Sequence, residues 1–139
     1  VINKDTIVRL GYEANVEREI AILREMQHAG ISRLVASFRW KRDVYLLLEY
    51  CARGDLHTHL RNLGSLSEAS AAFIAAEVVA GLAHVHAKGF AFGDLKPENV
   101  LLTASGHAKL TDFGAARPLR GHREAEARLA EAGDVLHDL

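Results

Sequence analysis

Phe92-Gly93-Asp94-Leu95-Lys96-Pro97-Glu98-Asn99 and, further along, Thr111-Asp112-Phe113-Gly114 are the two stretches on which the reading of this chain turns. The first places a carboxylate, an ammonium and an amide at spacings of two and three residues, close enough for one loop to aim all three at one place. The second adds another carboxylate. Chemistry that moves a phosphoryl group asks little covalent help of a protein. It asks for a group that orients the attacking hydroxyl, cations where charge develops, and oxygen ligands for a metal ion on the phosphates. Asp112 and the amide of Asn99 are hard-oxygen donors of the kind magnesium accepts while it keeps waters and phosphate oxygens.

Between the two stretches, Val100–Leu102 and His107–Leu110 flank the turn Thr103-Ala104-Ser105-Gly106 and predict a small β-hairpin that returns Asp112 toward Asn99. Upstream, Ile74, Val78, Leu82 and Val85 form the apolar stripe of a long helix that Ser65 or Ser67 caps and Gly89 ends. A shorter helix spans Leu56–Leu63 and closes at Gly64. Runs of strand type at Leu34–Phe38 and Val44–Tyr50 enclose the polar turn Lys41-Arg42-Asp43 and predict a first hairpin. Asn15 to His28 has helical period, with Val16, Ile20 and Leu23 on one face and Glu19 on or beside that stripe. Phe90 to Asn99 reads as irregular, with Pro97 opposing a helix. The tail from Arg120 is helix-prone and, like the whole stretch from Asp112 onward, contains no Ser, Thr or Tyr.

Composition narrows the classes. With 17 Lys and Arg against 18 Asp and Glu, the chain has no basic field to hold nucleic acid, and the expectation is no nucleic-acid partner. The single cysteine, Cys51, excludes an internal disulfide framework and suits a reducing, cytoplasmic (intracellular) setting. No uninterrupted apolar run of membrane-spanning length is visible, so no membrane span is expected.

The first stretch resembles the catalytic loop of protein kinases (H-R-D-x-K-x-x-N), and Asp112-Phe113-Gly114 resembles their D-F-G magnesium motif. The two together, in order and joined by a hairpin, are a specific signal, and the likeness extends from Val1 to Arg117. The wording of His57–Glu68 and Gly93–Leu102 is similar to the group of cyclic-nucleotide-dependent and phosphoinositide-dependent kinases. The resemblance implies an α+β, two-lobed protein-kinase-like fold, truncated at both ends. A partial N-lobe of sheet plus helix would occupy residues 1–48, a hinge region 49–55, a mainly helical partial C-lobe 56–119, and an activation-segment insertion 120–139. It implies a serine/threonine kinase that uses ATP and Mg2+ on a protein substrate bearing Ser or Thr, with the isolated chain inactive. A pseudokinase or scaffolding module that binds without turnover is the alternative.

By the same resemblance, Asp94 would accept the substrate hydroxyl proton and Lys96 would contact the γ-phosphate; a lysine there is the Ser/Thr-kinase signature. Asn99 and Asp112 would hold the metal. Glu19 would pair with a phosphate-binding lysine upstream of the chain. The backbone of Glu49 and Cys51 would bond adenine, with Leu48 as gatekeeper and Leu101 beneath the base. Asp55 would reach the ribose, and Glu98 belongs to the same nucleotide-site set. Leu23, Leu34, Phe92 and Phe113 match the stacked apolar residues that tie the lobes.

Some residues carry plainer readings. Asp55 is also a suitable carboxylate for the start of a helix. His84 and His86, two apart on a helix, point to different faces and make no metal pair; His57 and His59 fail the same test. Cys51, without a histidine partner, reads as a small hinge residue. Lys4 is not promoted to the missing strand lysine, because Val1-Ile2-Asn3-Lys4 resembles what directly follows that lysine. Gly93 stands where most kinases carry the arginine that pairs with an activation-segment phosphate. The expectation is a protein independent of that switch, constitutively active or held by other domains. Glu124 and Arg128, four apart in a helix-prone run, would support a helix there; a mobile insertion without regulatory meaning is the other reading.

Overall fold

The computed structural model describes residues 5–10, 16–41 and 43–132. Val1–Lys4, Arg42 of the first turn and the end of the tail lie outside the described residues. Strand β1 (Asp5–Leu10), helix α1 (Val16–Glu25) and the hairpin β2 (Leu34–Trp40) and β3 (Asp43–Glu49) come first. Helices α2 (Leu56–Leu63) and α3 (Glu68–Ala87) follow. A two-residue strand β4 (Phe90–Ala91), the hairpin β5 (Val100–Leu102) and β6 (Ala108–Leu110), strand β7 (Arg117–Pro118) and helix α4 (Arg123–Glu131) complete the chain.

Three small antiparallel sheets result: β1-β3-β2, β4-β7 and β5-β6. In β3, burial alternates strictly residue by residue, which puts Val44, Leu46 and Leu48 against α1. The α1 stripe of Val16, Ile20 and Leu23 faces them, and all three are buried. Beside the expected hairpin, β1 pairs along β3 from Asp5↔Glu49 to Leu10↔Val44. An edge strand exposes a row of unsatisfied amides and carbonyls, and the β-branched run Thr6-Ile7-Val8 supplies a strand to cover them.

Ser67, not Ser65, caps α3, its hydroxyl accepting from the Ser70 amide at 3.1 Å. Val85 is fully buried, and Gly81 lets the helix lie so close to the Gly30 loop that a Cβ would come within 3.0 Å of the Gly30 carbonyl. The far side of α3 is open, with Phe73 and Val79 exposed. By length and composition alone α3 could cross a membrane. Its carboxylate Glu77 instead accepts from the Ala108 amide and pairs with His107, both at 2.6 Å, and so anchors the β5-β6 hairpin.

Two details correct the irregular stretch 90–99. Phe90 and Ala91 pair with Pro118 and Arg117 as a short ladder, and Pro97–Asn99 forms one turn of 3-10 helix. Proline fits there because the first turn needs no amide donor from it. The core runs from α1 and β3 through Phe90, Phe92, Phe113 and Leu110 to Val85 of α3, and Ala125 of α4 joins it. Burying each large side chain contributes about 1.5–3 kcal/mol.

Candidate functional site

Beyond β4 the chain passes through Phe92, which is buried and meets Phe113 edge-to-face at 5.1 Å between ring centroids. That contact fixes the second stretch beside the first. Gly93 follows with φ +85, and a Cβ there would stand 2.5 Å from the Ala115 carbonyl oxygen. Glycine is therefore required by conformation and by space at once. Any side chain at this point would have to displace backbone.

The bend delivers Asp94 and Lys96 to a partly open surface. Lys96 Nζ lies 3.1 Å from Asp94 Oδ2, and this hydrogen bond holds the ammonium above its ordinary range. Asn99 is buried, and its Nδ2 donates to the Asp94 carbonyl at 2.9 Å and to Asp94 Oδ2 at 3.1 Å. Its main chain is fixed as well: Asn99 N donates to the Lys96 carbonyl at 2.9 Å, and Thr111 N donates to the Asn99 carbonyl at 3.0 Å. The last bond continues the β5-β6 ladder by one step and brings Asp112 next to the loop. Three of the four expected polar residues are thus joined directly, and the fourth is their neighbour through the hairpin.

Asp112 adopts φ +65, a left-handed conformation rare for residues with a side chain, and its Oδ1 accepts from the Gly114 amide at 3.1 Å. Such strain collects at functional sites, because packing elsewhere has to maintain it; here Phe113 is the anchor. With Asn99 Nδ2 and Asp112 Oδ1 already engaged, Asn99 Oδ1 and Asp112 Oδ2 remain as oxygen donors. They fit magnesium, an ion that completes its shell with waters and phosphate oxygens. Among the described residues no group of three His, Cys, Asp or Glu side chains could hold a metal on its own.

Above the loop lies a cavity of about 260 Å³, lined by Glu19, Leu23, Ser32, Leu46, Leu48 and Asp112. Burial, and then the nearby negative charge of Asp112, push the Glu19 carboxyl from its ordinary 4.5 to about 7. A carboxylate in this position calls for a cation. Leu48 walls the cavity, and Leu101 of β5 makes an isolated antiparallel bridge to Asp55. Leu23, Phe92 and Phe113 belong to one buried core, and Leu34 packs against that core partly buried.

The remaining candidates have other engagements. Both oxygens of Asp55 accept from Thr58, the backbone amide at 2.8 Å and the hydroxyl at 2.9 Å, and the amide bond lowers its pKa. Here Asp55 caps α2. Glu98 meets His57 Nδ1 at 2.9 Å, a tie to α2. Glu49 Oε1 receives Lys109 Nζ at 3.1 Å and its Oε2 accepts from the Arg33 amide at 3.3 Å. Cys51 is buried, and burial raises its thiol pKa, as befits a packed residue without a base. His84 stacks on His28 at 5.1 Å and accepts from the Gln27 amide, a packing role.

Sequence reasoning passed over Glu77 and Lys109, which brace the hairpin from two sides. Burial works against the Glu77 charge, but the Ala108 amide and His107 outweigh it and bring its pKa below the ordinary value. One signal was available, since Glu77 is the only acidic residue inside an otherwise alanine-rich apolar helix after its first turn.

Comparison with known proteins agrees with this geometry. The protein kinase domain family matches residues 1–132. The cAMP-dependent protein kinase catalytic subunit PRKX of Mus musculus is 41% identical over 113 residues, 81% of this chain and 32% of that protein. The cAMP-dependent protein kinase catalytic subunit of Dictyostelium discoideum is 40% identical over 116 residues, 84% of this chain and 18% of its own length. The 3-phosphoinositide-dependent protein kinase 1 of Arabidopsis thaliana is 38% identical over 120 residues, 86% of this chain and 24% of that protein. The chain spans at most about a third of the length of these relatives. A buried asparagine locked to an aspartate, a strained second aspartate beside them, and a match over nearly the whole chain lead to one conclusion: this chain belongs to the protein kinase domain family.

Proposed function

We propose that the protein carrying this chain is a serine/threonine kinase that transfers the γ-phosphate of ATP to a protein hydroxyl. The observation that carries the reading is the Asp94–Lys96–Asn99 cluster, held by buried Asn99 next to Asp112. The Asp94 side chain is partly exposed, and its carboxylate would orient the attacking hydroxyl and receive its proton. Lys96, kept charged by Asp94, would meet the transferring phosphate. Magnesium, held by Asn99 and Asp112, would supply neutralisation of the phosphate charge. Glu19 would take a cation in the cavity, and the main chain at Glu49 and Cys51 would bond adenine. The relatives named as cAMP-dependent and 3-phosphoinositide-dependent protein kinases support a protein acceptor of the Ser/Thr class. The Asp55 cap supports a role in starting α2 over a ribose contact in this state.

The test uses the full-length protein with labelled ATP and a generic Ser/Thr substrate. Asp94→Asn should reduce turnover by about 10²–10⁴-fold and leave nucleotide affinity nearly unchanged, because it removes an orienting group and not a nucleotide contact. Asp112→Ala should abolish magnesium-dependent turnover. Near-normal turnover from Asp94→Asn would overturn the assignment.

A further inference from the structure

Helix α4 does not float beside the core. Ala125 is fully buried, Leu129 packs against the core, and the His122 ring both accepts from the Ala125 amide and covers Gly89, where a Cβ would come within 2.5 Å of it. Leu119 N donates to the Gly89 carbonyl at 2.8 Å, which fixes the approach to the helix. From this footing one side chain reaches two other helices. Arg128 Nε donates to both oxygens of Glu25, at 3.1 Å each, and Nη2 donates to the Lys88 carbonyl. The guanidinium carbon lies 5.7 Å from the centroid of the Phe90 ring, in cation–π position.

Glu25 is the last residue of α1, and Lys88 is the C-cap of α3. Both are negative ends of helix dipoles, and a carboxylate at such an end is electrostatically unfavourable without a cation. Arg128 supplies that cation to both ends together, in a forked geometry that an ammonium cannot reproduce. The bond spans 103 residues of sequence and ties the helix that carries Glu19 to the helical part below.

We propose that Arg128 is a positioning residue, holding α1 through Glu25 so that Glu19 stays over Asp112. This rests on the kinase reading above. The clamp uses permanent charges, and the stretch from Asp112 to Leu139 has no Ser, Thr or Tyr that a phosphate could modify. α1 is therefore set in place without phosphorylation of this segment.

The experiment compares wild type, Arg128→Ala, Arg128→Lys, Glu25→Gln and the Arg128→Ala/Glu25→Gln pair in the full-length protein, by steady-state kinetics and by amide hydrogen exchange. Arg128→Ala should lower kcat about tenfold and speed exchange in α1 by a similar factor, while exchange in α2 stays unchanged. Arg128→Lys should lie between wild type and Arg128→Ala. The pair should be no worse than Arg128→Ala, because both substitutions break one interaction. Unchanged α1 exchange in Arg128→Ala, or losses that multiply in the pair, would overturn the clamp. Equal acceleration in α1 and α2 would also overturn it, since that pattern reports general loss of stability. Should wild type show no phosphotransfer at all, the kinase reading fails, and the exchange data alone decide the clamp.

Discussion

The loop around Asp94 and the cavity around Glu19 both present carboxylates, but under opposite conditions. Asp94 has Lys96 and Asn99 within hydrogen-bond distance. Glu19 has burial and the like charge of Asp112. The lower region supplies its own counter-charges from within ten residues of sequence, whereas the upper one is built to receive a charge from elsewhere. A self-satisfied region is pre-organised, and a charge-seeking region is ready for a ligand or partner cation. Phosphoryl transfer needs both: fixed groups for chemistry, and a place where nucleotide and cations enter.

The strongest way to break the comparison is to remove the post that joins the two regions. Phe113→Ala should destabilise the domain by about 3–5 kcal/mol, the usual cost of truncating a buried aromatic, read from denaturant unfolding. Next comes the bend itself. Gly93→Ala should cost about 1–3 kcal/mol for its positive φ alone, with a further loss for the displaced Ala115 carbonyl. A smaller loss than Phe113→Ala, accompanied by a large drop in turnover, would place the bend in the chemistry more than in the packing.

The pH dependence sharpens the contrast. Glu19 has a folded pKa of about 7 against an ordinary 4.5, so its neutral form is the one folding favours. Its stability contribution is complete below pH 4.5 and is lost as pH rises through 7. Glu19→Gln should therefore stabilise this chain at pH 8 by on the order of 1–2 kcal/mol, after allowance for partial exposure, and do nothing electrostatic at pH 4. Thermal unfolding at the two pH values checks it, and a cation bound beside Glu19 should erase the difference. The smallest effect belongs to Asp55→Ala, about 1 kcal/mol for a lost cap, measured the same way.

Much of this was legible in the sequence. The spacing of Asp94, Lys96 and Asn99 requires only a short loop, and the hairpin that returns Asp112 is marked by Thr103-Ala104-Ser105-Gly106 at its turn. Local periodicity likewise located α1 and α3, while for the tail that forms α4 it left a helix and a mobile insertion both open. What stayed hidden depends on distant partners. Whether Asp55 faces a ribose or Thr58 is decided by where α2 begins in space. That Glu49 takes Lys109 and Glu25 takes Arg128 follows from packing between elements 60 and 103 residues apart. The β1 pairing was missed for the same reason, since an edge strand is specified by the neighbour it finds.

Gly93 has a consequence for how this sequence can change over time. Its Cα occupies ground that no side chain can share, with the Ala115 carbonyl only 2.5 Å from any Cβ. A mutation to arginine at this position would damage the loop before the new side chain met a phosphate. An arginine at this place would need a shift of the backbone at residue 115. In this backbone a side chain at 93 and the carbonyl of Ala115 compete for one space, so the two positions would have to change together.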